Sequence, residues 1–259
     1  MFLLLLKKSF FDAWDNLGVV VLANLAFFLI LSFGLWPMFR MLESSNTAGI
    51  LFPIFLFPIV FTAGGIVSSA MSRIADYQHS SWSDLPKTFK KTWKSSLAMG
   101  VFSVVFFSVS VLGMLYYIKM GSLFGFFAAS SLFWISLGVY LVLLWFFPVR
   151  NRLSGNFKEL LKKSALIAFD NLSLTFFAAI IAIPLHMFLW PLTAFALFGP
   201  AGILLFMDCA LRLLTFKYDW LESHQGAKRK DIPWNELLID EHEKIGKRTL
   251  KGMIFPWKE

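Results

Sequence analysis

The sequence predicts an all-α, polytopic membrane protein with six transmembrane helices, arranged as three hairpins that are each preceded by an amphipathic cytoplasmic helix, with both termini inside. Two observations carry this fold class. Six apolar stretches, at about 17–39, 49–71, 96–118, 123–147, 171–190 and 192–214, are each long enough, at 1.5 Å per residue, to cross a ~30 Å hydrocarbon core. The 24 Lys and Arg residues then alternate across the gaps between them. The segments near 40–48, 119–122 and 190–191 carry only Arg40 and Lys119, whereas the N-terminus, 72–95, 148–170 and the tail from 212 hold the rest. Basic residues are retained on the cytoplasmic side, which puts both ends of the chain there.

Composition agrees. Apolar residues make up 58% of the chain and charged residues 15%, with mean hydropathy +0.68, far from a soluble domain of 259 residues. The net charge of +8 sits beside the spans, so it points to positive-inside sorting and anionic lipid headgroups rather than to nucleic acid. The single cysteine, Cys209, falls inside the last span and can form no disulfide within the chain. Met1–Leu6 is apolar but Lys7 and Lys8 follow with no small-residue cleavage site, so the first span is expected to stay as an anchor.

In order, residues 1–16 form the N-terminal amphipathic segment, 17–214 the six-helix membrane domain and 215–259 a cytoplasmic tail with one short helix. Within the membrane domain a layout recurs about every 77 residues. Trp14, Trp93 and Phe169 each stand at the entry to an odd-numbered span, followed by a polar pair that is Asp15-Asn16 in the first unit and Asp170-Asn171 in the third. The even spans close on Arg73, Arg150 and Arg212. Interfacial aromatics and basic feet suit any hairpin entered from the cytoplasm, and internal repetition is also common in transporters. Residues 157–168 carry Phe157, Leu160, Leu161, Ser164, Ala165 and Ala168 on one helical stripe, with Lys158, Lys162 and Lys163 elsewhere, as for a helix lying in the interface. Small residues that permit close helix contact are Gly64-Gly65, Gly121, Gly125 and Gly138.

Asp208 and Arg212 lie one turn apart in the last span and are expected to form an intramembrane ion pair. By the same logic Asp15 and Asp170 are expected to meet arginines of neighbouring hairpins. Proline and glycine break spans two, five and six at Pro53, Pro58, Pro184 and Gly199-Pro200. Such breaks are either packing kinks or ligand sites. In the tail, Lys228-Arg229-Lys230 suits anionic lipid, Asp231 and Pro233 open a helix, and Trp234, Leu237, Leu238 and Ile245 share a face. The apolar end with Phe255 and Trp257 calls for burial, on the protein itself, in a partner or at the membrane surface. Catalytic, cofactor and metal residues are expected to be none. The chain carries no His-Glu-x-x-His, Cys-x-x-Cys, Gly-x-Ser-x-Gly or P-loop pattern, and its four histidines are scattered.

The run Phe147-Pro148-Val149-Arg150-Asn151-Arg152 closing span four, the turn Lys158-Glu159-Leu160-Leu161-Lys162-Lys163-Ser164-Ala165 before span five, and the layout of Ala63–Arg73, Trp82 and Phe89–Trp93 together resemble the YesL-like family of bacterial membrane proteins, the group labelled domain of unknown function 624. The resemblance covers about residues 10–215 and leaves the tail aside. It implies a non-catalytic accessory or assembly component of a membrane transport complex, of the ABC-type carbohydrate importer kind. Apart from the resemblance, the basic cytoplasmic loops and the tail are the surface expected to meet a protein partner. The tail residues Trp234, Leu237, Leu238, Phe255 and Trp257 are the expected docking anchors. The alternative is an independent small-solute transporter that uses the kinked spans, with Asp208 as its coupling residue.

Overall fold

The computed structural model describes residues 1–44, 49, 51–79, 85–224, 226, 231–246 and 248. Among them every regular element is helical: α1 (Phe2–Asp15), α2 (Leu17–Glu43), α3 (Phe52–Ala75), α4 (Leu85–Lys119), α5 (Leu123–Leu144), α6 (Phe146–Arg152), α7 (Phe157–Asp170), α8 (Leu172–Phe177), α9 (Ile183–Leu192), α10 (Gly199–Ser223), α11 (Trp234–Leu237) and α12 (Ile239–Ile245). Six segments are long and apolar enough to cross a membrane: α2, α3, α4, α5 with α6, α8 through α9, and α10. Large apolar side chains stand uncovered along them, Leu123 at 90% and Phe33 at 75%. Hydrocarbon solvates such a surface and water does not.

Aspartate–asparagine joints divide two units of the chain. Asn16 leaves helical geometry (φ −120°, ψ 32°) and its side-chain amide donates to the Asp12 carbonyl at 2.9 Å, ending α1 before α2 begins. Asn171 repeats the device between α7 and α8 (φ −128°, ψ 49°), donating to the Ile167 carbonyl at 3.0 Å. Asparagine favours such local bonds over helix continuation. The second unit departs from expectation. It has no separate amphipathic helix, because α4 runs unbroken for 35 residues through Lys94-Ser95, where no asparagine interrupts the ladder.

Burial distinguishes the spans. The apolar window of α10 is 67% buried, against 22% for α2 and for α4, so α10 is the interior helix. It packs on α3, α1, α9, α2 and α6, and α3 in turn packs on α4 and α2. The α3–α4 contact is close because Gly65 and Gly100 carry no Cβ. A methyl at Gly65 would overlap the Ser96 hydroxyl and the Arg150 guanidinium, and one at Gly100 would press on the Pro58 backbone. Gly121 and Gly138 play no such part. Gly121 turns the chain between α4 and α5 at φ +59°, and Gly138 faces open space.

Span five carries a physical break. Residues Ala178–Ala182 form a π-helical turn in which the Ile183 amide donates to the Ala178 carbonyl. The wider turn accommodates Pro184, whose ring would otherwise strike the carbonyl four residues back. After α9 the loop 193–198 holds Ala194, Phe195 and Phe198 at positive φ. Asn24, fully buried in α2, secures that loop. Its amide donates to the carbonyls of Ala196 (3.1 Å) and Phe198, and its oxygen accepts from the Ala201 amide at 3.0 Å in the first turn of α10. One side chain thus satisfies a first-turn amide of a helix that starts inside the bundle together with two carbonyls of the loop before it.

The tail forms two short helices rather than one, divided at Leu238 (φ −105°, ψ 10°). Leu238 and Ile245 are buried in the same core cluster as α10, and Trp234 packs against its edge. Residues 231–246 therefore dock on the protein itself.

Candidate functional site at the basic end of the bundle

A network of charged side chains joins α1, α3, α10 and the tail, and Glu241 of α12 is its centre. Its carboxylate is fully buried. One oxygen accepts from Arg212 Nε (3.0 Å) and Nη2 (2.7 Å), and the other accepts from the Tyr77 hydroxyl at 2.8 Å. Lys8 of α1 is also fully buried, with its ammonium 2.9 Å from Asp12, 3.4 Å from Glu241 and 3.7 Å above the Tyr77 ring. Charge and the ring face hold it more than directed hydrogen bonds do. Arg212 also donates to Asp76 at 2.6 Å, and Asp76 accepts a two-pronged contact from Arg152 at 2.9 and 3.1 Å. Five segments distant in sequence, α6 through Arg152 among them, are stitched by bonds of the charge-assisted kind.

The network sets the ionisation of its members outside the spans. Burial pushes the Asp12 carboxyl up, and the Lys8 charge opposes this only in part. Burial and the bond to Glu241 hold the Tyr77 hydroxyl well above its usual range. Burial acts to raise Glu241 too, but the bonds from Arg212 and Tyr77 and the Lys8 charge outweigh it and leave the carboxyl below its ordinary value.

A second cluster lies deeper. Asp208 is fully buried, accepting from the Ser68 hydroxyl at 3.0 Å and from the Asn151 amide at 3.2 Å. Arg150 crosses beside it, donating to the Ser96 hydroxyl (2.6 Å), the Gly65 carbonyl (2.6 Å), Ser69 (3.1 Å) and Asn151 (2.9 Å). The arrangement joins α3, α4, α6 and α10 and leaves the guanidinium few donors to spare.

The expected Asp208–Arg212 pair does not form. The two side chains leave α10 towards different neighbours, Asp208 into the serine and asparagine groups of α3 and α6, and Arg212 out to Asp76 and Glu241. Spacing along one helix permits contact but does not choose it over partners with better geometry. The other two aspartates also find partners different from the hairpin arginines expected. Asp15 pairs with Arg248 of the tail at 2.6 Å, and Asp170 accepts from Lys217 (2.6 Å) and Tyr218 (3.0 Å) of α10. Arg73 donates to Thr88 of α4 at 3.3 Å.

Trp14, Trp93 and Phe169 are uncovered at 43%, 37% and 62%, as side chains meeting headgroups would be. Of the expected docking anchors, Leu238 is 2% exposed in the protein's own core and so is not offered to a partner, Trp234 is half-buried against that core, and Leu237 is half-buried. Phe255 and Trp257 lie outside the described residues, as do Trp82 and Lys228-Arg229-Lys230.

Sequence reasoning missed Asn24, Ser68, Asn151 and Glu241. Asn24 had one available signal, an amide eight residues into an otherwise apolar span. Glu241 had none, since its run Asp240-Glu241-His242-Glu243 reads as a solvated face. Among the described residues no group of three or more His, Cys, Asp or Glu is placed to hold a metal ion. Comparison with models of known families, with curated proteins and with solved structures finds no match.

Proposed function

We propose that this six-span integral membrane protein is a non-catalytic accessory or assembly component of a membrane transport complex, made of three hairpins with both termini in the cytoplasm of a bacterial cell. The observation that carries this reading is the closure of the interior. The strongest polar groups within the spans, Asn24, Asp208 and Arg150, are each tied to fixed partners, and the tail segment 231–246 is folded back as part of the same body. A bundle stitched in this way behaves as a rigid scaffold. Its uncovered interfacial aromatics and basic loops support contact with anionic headgroups and with a partner subunit. The YesL-like resemblance, which rests on layout, points to a carbohydrate importer as the complex. Affinity purification from the native cell in mild detergent, followed by mass spectrometry, tests this. A stoichiometric transport subunit that persists through a salt wash is the expected result, and recovery of a stable chain alone is the opposing one. Deletion of residues 250–259 then reports whether the end of the tail contributes. Unchanged pulldown would place the docking surface elsewhere.

The broken spans favour a second reading, an independent transporter. The π-helical turn, the loop with three non-glycine residues at positive φ and the buried start of α10 are the kind of irregular backbone that lines solute sites. Asp208→Asn in proteoliposomes separates the two readings, since a coupling role requires loss of flux with the fold retained.

A further inference from the structure

A cavity of about 700 Å³ opens at the basic end between α3, α4 and the turn from α6 to α7. Five cations line it, Arg73, Lys87, Lys91, Lys94 and Arg150, against one carboxylate, Asp76. That carboxylate does not balance the lysines, because it already accepts from Arg152 at 2.9 Å and Arg212 at 2.6 Å, neither of which lines the cavity. The lysines at 87, 91 and 94 follow four- and three-residue spacing and so share one face of α4. Arg150 is committed to the wall by the bonds given above, and Lys94 lies 5.7 Å from the centre of the Trp93 ring. Lys87 and Lys91 make no hydrogen bond or ion pair with a described residue. The Thr92 and Ser95 hydroxyls do not compete with them as donors. Thr92 gives its proton to the Thr88 carbonyl and Ser95 to the Thr92 carbonyl. Around Lys87 and Lys91 the cavity therefore concentrates positive charge with no acceptor for their ammonium groups among the described residues, and like charges on one helix face lower their energy by taking up an anion.

We propose that this cavity binds a phosphate group, carried by the headgroup of an anionic phospholipid or by a soluble phosphate ester. A phosphate offers enough charge and enough acceptor oxygens for several ammonium groups at once, which a single carboxylate does not. The volume exceeds that of bare phosphate, and Leu153 and Leu160 in the wall give an ester substituent apolar contact. The site stands independently of the accessory role, and its test needs no partner protein.

The full chain in phosphatidylcholine nanodiscs is titrated with inorganic phosphate and with glycerol phosphate by calorimetry. In a separate arm, native mass spectrometry counts phosphatidylglycerol adducts after lipid exchange. The cavity variant is Lys87→Gln with Lys91→Gln. The control is Lys90→Gln with Lys158→Gln, two exposed lysines outside the lining. All four are surface changes that leave the bundle intact. The cavity variant is expected to weaken binding by about tenfold or more, the scale of losing charge-assisted bonds, while the control stays within about twofold. Loss in the soluble-phosphate arm identifies a free ester as the source, and loss in the lipid arm alone identifies a headgroup. Equal loss in both variants, an unaffected cavity variant, or no binding of any probe to the unmodified chain overturns the proposal.

Discussion

Glu241→Ala tests whether the tail is held to the bundle by the buried charge network. The substitution removes two hydrogen bonds from Arg212, one from Tyr77 and the charge facing Lys8. Arg212 keeps Asp76 and Lys8 keeps Asp12, so each loses one partner, but the Tyr77 hydroxyl loses the only acceptor shown for it. Breaking a buried pair from one side costs about 3–5 kcal/mol. Burial of Leu238 and Ile245 opposes release by about 1.5–3 kcal/mol each. The segment should therefore remain docked most of the time yet open about a hundredfold to several thousandfold more often. Hydrogen exchange of backbone amides in 231–246, measured in nanodiscs, reads that ratio directly. Glu241→Gln retains an acceptor and should fall between the two. Exchange unchanged in Glu241→Ala, with helicity intact, would refute the claim that this network holds the tail. The same contact sets a pH response. Because Glu241 sits below its ordinary value when docked, its contribution is present above that ordinary value and is lost as pH falls through the lower, docked one. Asp12 runs the other way. Its carboxyl is raised on folding, so taking up a proton favours the folded form, and of these two carboxyls Glu241 is the one whose protonation favours release of the tail.

Asn24→Ala should cost about 2–5 kcal/mol, since it strands two carbonyls and the first-turn amide of α10 away from water, and a lowered melting temperature in detergent is the measure. Gly65→Ala should displace the Arg150 guanidinium and Ser96 and destabilise by about 1–3 kcal/mol, read by the same melt, whereas Gly138→Ala, which meets nothing, should leave it unchanged. Single cysteines at Ser154 and Ser122, both exposed, should react with an impermeant maleimide from opposite sides of the membrane, Ser154 only after the cell is opened. Labelling of both from outside would invalidate the hairpin arrangement. The native Cys209 is fully buried and should stay silent in that assay.

The spans were legible because each is a long, predominantly apolar run and lipid imposes a length, so periodicity was not needed to find them. The joints were half legible. The Asp-Asn pairs marked two of them, but the pattern of an aromatic followed by polar residues also suggested one at Lys94-Ser95, where no side chain stops the ladder and α4 continues. The site was the least legible part. Asp208 and Arg212 stood out as charges in an apolar context, yet their partners come from α3, α6 and the tail, and no spacing along one helix encodes contacts across 136 or 29 residues. Glu241 was hidden for the converse reason. An acidic run on a short polar helix looks solvated until the fold turns one of its members inward.

The unbroken α4 sets a height. At 1.5 Å per residue its 35 residues reach about 52 Å, against ~30 Å of hydrocarbon, so even a tilted rod lifts several turns clear of the acyl layer. The projecting turns are those that carry Lys87 and Lys91. Having no elbow, the rod moves as one piece. A thicker bilayer draws those charges down towards the headgroups, and a thinner one raises them into the aqueous phase.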